Sequence, residues 1–336
     1  MTPEVSVYAS VGDIGKAEWD RLAGDAPVFH RFDFVSSIES DPLTRGTTAK
    51  YLVARDRDGS PRAAAVLYLQ EARDPFAPPD DQRVRRMLVG HMWHCYDTWL
   101  LASGPVDTQL ITAFWREIER LAEHHRTEIH GMVNVALGSD LAVALEEAGI
   151  TGSETTPRYQ LKVPSPGEDL FDQHLSTVGR ASRRCLRQYW RRAQRAGVDI
   201  TFREGKEALD DAVLELCLAT ADKHAPGYYP PEQLSALIRA LGPNCRILRV
   251  ELDGVLLATS ICLLDETRAH FWAGGCLYPQ QLNWSPQYVL FAAELRAGFE
   301  SGRPVVEFGR RNDEFKRRYG LTPIRLGRFT VERTAR

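Results

Sequence analysis

Lysine is scarce in this chain. Of 42 basic residues only six are lysine, and after Lys223 the sole one is Lys316. Cysteine occurs six times, at 95, 185, 217, 245, 262 and 276, but never as Cys-x-x-Cys, so neither a disulfide framework nor a standard zinc spacing is present. No apolar run reaches the roughly 18 residues that cross a bilayer. The start, Met1-Thr2-Pro3-Glu4, has neither a basic nor an apolar leader segment. These absences set the expectation of a cytoplasmic chain with reduced thiols and no membrane partner. Gly-x-Ser-x-Gly, Walker and dinucleotide-binding glycine patterns are also missing, which leaves hydrolase, kinase and dehydrogenase readings without support. A net charge of -3 lacks the global basic excess of a nucleic-acid binder, so any anion recognition has to come from local patches.

What is present is an internal echo. At 336 residues with 43% hydrophobic content, the chain can bury two ordinary cores. Residues 51–59 followed by 63–69, and 246–254 followed by 256–264, each place two strand-like runs around an Asp-Gly turn, a hairpin signal. Each hairpin is followed by a further strand-like run, a helix and a buried strand. In the first half these are Thr98 to Ala102, Leu110 to Glu123 and Met132 to Ala136. In the second they are His270 to Ala273, Tyr288 to Phe299 and Val305 to Phe308. Two tandem α/β domains of one plan are expected, 1–163 and 164–336, joined near Val163-Pro164-Ser165-Pro166-Gly167, where Pro, Ser and Gly break periodic structure.

The sole late lysine lies in a distinctive stretch. The apolar run Val305, Val306, Phe308 reads as a buried strand, and the polar cluster Arg310 to Lys316 hangs from its end, where open α/β sheets usually bind ligands. Strand, Glu-Phe-Gly-Arg, then Phe315-Lys316 and Tyr319-Gly320, resembles the C-terminal signature of the Fem-like branch of the GNAT-fold acyltransferases. The resemblance implies two GNAT-like domains, each a mixed, mostly antiparallel sheet flanked by helices. It further implies that Phe315 and Lys316 lie at the transfer site, with the lysine stabilising charge on the reacting carbonyl or its leaving ribose. Arg310 and Asn312 join them as substrate-binding candidates. A long helical arm with which some relatives contact tRNA has no counterpart here.

Between Gly179 and Arg195 seven arginines occur without one acid. At about 100° per residue, Arg180, Arg184, Arg187, Arg191 and Arg195 share a stripe roughly 80° wide, opposite Leu186, Tyr189, Trp190 and Ala193. The expectation is one helix with a packed face and a cationic face, capped near Gly197, its arginine forks suited to phosphate. A merely solvated basic face is the plainer alternative.

Acyl-CoA enzymes cradle pyrophosphate on backbone amides of a Gly-rich turn at a helix start. The equivalent turn here, Gln281-Leu282-Asn283-Trp284-Ser285-Pro286-Gln287-Tyr288, has no glycine. The favoured donor is therefore aminoacyl-tRNA, transferred to an amine of a small-molecule or peptidyl acceptor in natural-product biosynthesis. An acyl-CoA-dependent N-acyltransferase and an inactive RNA- or nucleotide-binding module are the alternatives. His224 is a candidate base for the attacking amine. Tyr229, His270, Trp272 and Tyr288 are candidates to line the cleft. His91, His94 and Cys95 could ligate a metal, but no second pair follows, so neither a metal nor another cofactor is expected; the ester donor is already activated.

Overall fold

The computed structural model describes residues 3–333 apart from 45, 79, 91–93, 165–168, 224 and 226. His91 and His224, and most of the expected linker, therefore lie outside the described residues. In chain order the elements are β1 (Glu4–Tyr8), α1 (Lys16–Ala23), α2 (Phe32–Ser40), β2 (Thr48–Arg55), β3 (Pro61–Arg73), β4 (Val84–Val89), β5 (Leu101–Ala102), α3 (Thr108–His124), β6 (Ile129–Ala136), α4 (Asp140–Glu147) and β7 (Ser153–Lys162). They continue with α5 (Leu170–Thr177), α6 (Arg180–Arg195), β8 (Asp199–Glu204), α7 (Gly205–Ala208), α8 (Asp211–Asp222), α9 (Pro231–Ala240), β9 (Cys245–Leu252), β10 (Val255–Leu264), β11 (Arg268–Cys276), α10 (Pro286–Glu300), β12 (Val305–Arg310), α11 (Asp313–Arg318) and β13 (Thr322–Glu332). Two units result: Met1–Pro157 with Ile324–Arg336, and Arg158–Pro323.

In the first unit the strands run β1-β2-β3-β4-β6-β13, with β5 beside β3. The helix α3 buries Leu110, Phe114, Ile118 and Leu121 along one stripe, the spacing of an amphipathic helix. The Asp107 carboxylate caps it by accepting from the Leu110 amide at 2.8 Å. The segment expected as a strand from Thr98 to Ala102 supplies only Leu101–Ala102 against β3 and one bridge from Thr98 to Val135. The strand that runs parallel to β6 is β4. Its Arg85-Arg86 pair interrupts the apolar pattern and conceals it in the sequence.

In the second unit the order is β7-β12-β11-β10-β9-β8. The β9–β10 hairpin turns on Asp253 and Gly254 at φ 51° and 78°, the two left-handed positions that a two-residue turn of matching twist requires. Both units place one parallel strand pair, β4/β6 and β11/β12, among antiparallel neighbours, so the α/β class with mixed, mostly antiparallel sheets holds. The unit limits differ from a split at 163/164. Arg158 to Lys162 of β7 pair with β12, and β13, from the chain's end, pairs with β6. Each borrowed strand satisfies a row of backbone groups that would otherwise form an open sheet edge.

In the second unit α10 is buried on nearly all sides, through Val289, Leu290, Phe291, Ala293, Leu295 and Phe299, as a helix that is apolar all round should be. It shares one sheet face with α5 and α6. The helix α8 covers the other face so closely that a Cβ on Gly275 would lie 2.0 Å from the Leu216 carbonyl oxygen.

Candidate active site

The parallel strands β11 and β12 pair only at Arg268/Val305, Ala269/Val306 and His270/Glu307. Beyond His270 they part. In β11, Ala273 and Phe271 face consecutive residues of β10, Ile261 and Cys262, so Trp272 is the extra residue of a β-bulge, a device that bends a strand away from its neighbour. In β12 the register against β7 shifts between Glu307 and Arg310, and Gly309 takes φ 63°. Both strands thus turn aside at one level and leave a gap between their C-terminal ends.

Lys316 lies at the end of β12, with its Nζ 5.4 Å from the centre of the Tyr159 ring of β7. In a regular strand successive carbonyls point to opposite sides, but the left-handed Gly309 swings three onto one side. The Lys316 Nζ donates to the carbonyl oxygens of Phe308 at 2.7 Å, Gly309 at 3.0 Å and Arg310 at 2.7 Å. An ammonium has three N–H donors, and all three are committed to the backbone. Direct donation to a substrate oxygen, the role implied by the family resemblance, requires one of these bonds to be released. Burial pushes the Lys316 pKa down to about 8, opposed by the carboxylates of Glu294, Asp313 and Glu307. The lysine also secures a strained turn, since Arg311 and Asn312 have φ 66° and 55°. Asn312 is exposed at the start of α11 and Arg310 is half-buried.

Phe315, the residue before Lys316, is a packing residue. Its ring lies 5.4 Å from Tyr288, 5.0 Å from Phe291 and 4.9 Å from Tyr319. Tyr288 also meets Tyr189 of α6 at 5.1 Å, so aromatic contacts run from the lysine turn through α10 to the arginine helix.

The other candidates lie on the opposite sheet face. His270 is 1% exposed, and its Nε2 is 2.8 Å from the Asp265 carboxylate, which makes it a buried partner within the strand layer, where the sequence suggested a cleft-lining position. Trp272 stands beside Tyr229 with ring centres 5.4 Å apart, and Tyr229 is buried. Glu307 accepts from Arg158 at 2.6 Å in a buried pair. The structure therefore groups Phe315, Lys316 and Tyr288 on the α10 side, and His270, Trp272 and Tyr229 on the other.

The family described as an acetyltransferase (GNAT) domain matches residues 180–317, from the first arginine of α6 to one residue past Lys316. Residues 180–317 are a GNAT domain. Among solved structures the chain is similar to FemX, at 11% identity over 96% of each chain with a TM-score of 0.62. It is also similar to a tandem GNAT protein from the clavulanic acid biosynthesis pathway, at 16% identity over 98% of each chain and 0.56. A third is the C-terminal domain of a putative lysylphosphatidylglycerol synthetase from Agrobacterium fabrum, at 11% identity over 93% of this chain and 90% of that one, and 0.55. At such identities the likeness shows the fold, two tandem GNAT-like units. No curated protein matches the chain. The family match supports an acyltransferase domain in the second unit.

In the GNAT domain α6 buries Leu186 and Ala193 and exposes Arg180, Arg184, Arg187, Arg191 and Arg195, and Gly197 follows its end at φ 80°. The cationic face is not wholly without acid: Arg187 pairs with Asp172 of α5, a partner that sequence distance concealed. The turn before α10 is packed into the core through Trp284, 4% exposed, and buried Pro286. It is tied to α6 where Arg192 donates to the Asn283 carbonyl at 2.6 Å.

One residue of the GNAT domain is not singled out by the sequence pattern. Glu294, in the middle of α10, has its pKa pushed up to about 7 by burial, opposed by the Ser260 hydroxyl and the Lys316 charge. The available signal was an acid inside the apolar run Val289 to Leu295. Burial pushes the Cys276 thiol up to about 12 and raises Cys262 well above the usual thiol range, which favours the protonated thiol in both. Among the described residues no cluster of His, Cys, Asp or Glu could hold a metal, with His94 and Cys95 buried. Among them, too, no helix is long and apolar enough to cross a membrane.

Proposed function

We propose that this protein moves an aminoacyl group from aminoacyl-tRNA to an amine of a small-molecule or peptidyl acceptor, forming an amide. The observation that carries the reading is the turn before α10. It has no glycine, Pro286 offers no N–H, and Trp284 fills the space beneath it, so a backbone nest for pyrophosphate is missing where a CoA donor would need one. The turn is joined to α6 through Arg192 and Asn283, and that helix carries an exposed arginine stripe whose planar forks suit the phosphates of a polynucleotide. The likeness to FemX and to the lysylphosphatidylglycerol synthetase domain agrees with this reading, and the likeness to the clavulanic acid protein agrees with a role in natural-product assembly.

In the reaction the acceptor amine attacks the ester carbonyl, the C–N bond forms, and the C–O bond to the ribose breaks. The amine loses one proton and the ribose oxygen gains one. The domain contributes mainly position and electrostatics. Lys316 supplies a fixed positive charge at the end of β12 and holds the strand end that shapes the gap, while Trp272 and Tyr229 provide an aromatic wall for the acceptor. Phosphates of the donor lie along Arg180, Arg184, Arg187, Arg191 and Arg195.

An acyl-CoA-dependent N-acyltransferase is the second reading, favoured by the family's acetyltransferase description. Thermal melting separates the two, because a ligand that binds the native state raises the melting temperature. Bulk aminoacyl-tRNA at low salt should protect, and CoA or acetyl-CoA at about 1 mM should not. Protection by acetyl-CoA without protection by tRNA would overturn the donor assignment.

A further inference from the structure

We propose that Phe271 and Phe308 set the size of the transferred acyl group: their rings form the closed end of the gap between β11 and β12, which admits a small side chain and refuses a large ring. The proposal rests on placing the transfer in that gap, as the proposed function does, and it holds for either donor.

The last backbone pair of the two strands is His270 with Glu307, so Phe271 and Phe308 are the first residues beyond it. They stay side by side, with ring centres 5.6 Å apart and planes 29° from parallel. Both are buried, at 6% and 9% exposure, and the Phe291 ring of α10 backs Phe308 at 5.4 Å. Stacked rings at such a separation attract each other, so side chains hold the strands together at the level where their backbone hydrogen bonds stop. One residue further the strands part. There Trp272 is the extra residue of the bulge, and Gly309, at φ 63°, has no side chain. The gap is therefore a wedge with an aromatic apex, and its two sides begin at Trp272 and Gly309.

Depth is what limits a ligand in this wedge. In the proposed reaction the carbonyl lies at the level of Lys316, whose Nζ is bonded to the carbonyl oxygens of Phe308, Gly309 and Arg310. Between that level and the apex lie one or two residues of strand, at about 3.3 Å each. A hydrogen, a methyl or a hydroxymethyl on the carbon next to the reacting carbonyl fits such a depth. A benzyl or indolyl group does not. With Gly309 contributing no side chain, the rings at the apex are what a larger substituent meets, and Phe291 behind Phe308 blocks their retreat into a close-packed interior. A pair that served packing alone would affect stability when replaced and leave the ranking of acyl groups as it was.

The test is calorimetric titration with two probe series. One is the 3′-aminoacylamido-adenosines (glycyl, alanyl, phenylalanyl and tryptophanyl), whose amide resists transfer; the other is acetyl-CoA with phenylacetyl-CoA. In the series that the wild type binds, small acyl groups should bind about tenfold or more tightly than large ones. Phe308→Ala opens the apex and should lower that ratio by about tenfold, chiefly by tightening the large probes. Since a Phe→Ala change in a core is costly, Phe271→Leu and Phe308→Leu are measured beside it and should each lower the ratio by about threefold; circular dichroism melts establish which variants fold. Equal binding of small and large groups by the wild type, a ratio unchanged in the folded variants, or no binding in either series overturns the proposal. Selection of small groups within the CoA series alone, relaxed in the variants, defeats the donor reading and supports this inference.

Discussion

Tyr319, just past α11, donates its phenolic hydrogen to the carbonyl oxygen of Ser182 in α6 at 3.1 Å. Two segments far apart in sequence, the arginine helix and the lysine turn, are thereby tied together. Tyr319 also packs against Phe291 at 5.2 Å, so the link is anchored on the buried central helix. Replacing Tyr319 by Phe removes the bond and keeps the ring. A drop of about 1 kcal/mol is expected, seen as a lower urea midpoint with the slope unchanged. A midpoint identical to wild type would show that the bond contributes nothing net.

Lys316→Met preserves most of the side chain's volume but leaves the carbonyls of Phe308, Gly309 and Arg310 without their donor. Each unsatisfied buried acceptor costs about 1–3 kcal/mol. The variant should lose at least about 3 kcal/mol of unfolding free energy as well as about 10²-fold or more in transfer rate. Had Lys316 been only a catalyst, stability would be spared. Wild-type stability in urea would therefore contradict the clamp described above.

The exposed arginines of α6 are tested by replacing Arg184, Arg191 and Arg195 with Gln. Arg187 is better left in place, since its pairing with Asp172 adds a structural effect to any electrostatic one. Binding of bulk tRNA should weaken, and its dependence on salt should flatten by about one unit of log–log slope for each phosphate that the variant no longer neutralises. The melting temperature should hold, because Leu186 and Ala193 form the packed face. An unchanged slope would reduce the stripe to a solvated surface.

Glu294 makes a pH-dependent contribution whose sign is fixed. Its folded-state pKa of about 7 lies above the ordinary 4.5, so between those values the native chain holds a proton that the unfolded chain has released. Stability from this group consequently falls as pH rises through that window and stays low above it. Glu294→Gln should be more stable than wild type at pH 8, by on the order of 1–3 kcal/mol, and equal to it near pH 4. Parallel unfolding curves at both pH values decide the matter. A variant destabilised at pH 8 would mean that the charged carboxylate is compensated in the native state.

Local pattern sufficed for much of this molecule. The Asp-Gly hairpin signals, the amphipathic α3, the two-faced α6 and the polar segment after Val305–Phe308 are encoded by residues near one another in sequence, where hydrophobic period and turn chemistry act directly. The glycine-free turn was equally legible. Tertiary structure alone decided the rest, because those features depend on what distant segments bring. The strand β4 was hidden by its arginines and is defined by pairing with β3 and β6. His270 became a buried partner of Asp265, and Arg187 gained an acid from another helix. The three acceptors of Lys316 exist only because Gly309 adopts a left-handed backbone, and the raised pKa of Glu294 comes from burial by everything packed around it. A charge's meaning is set by the dielectric and the partners that folding assembles, and no local pattern contains those.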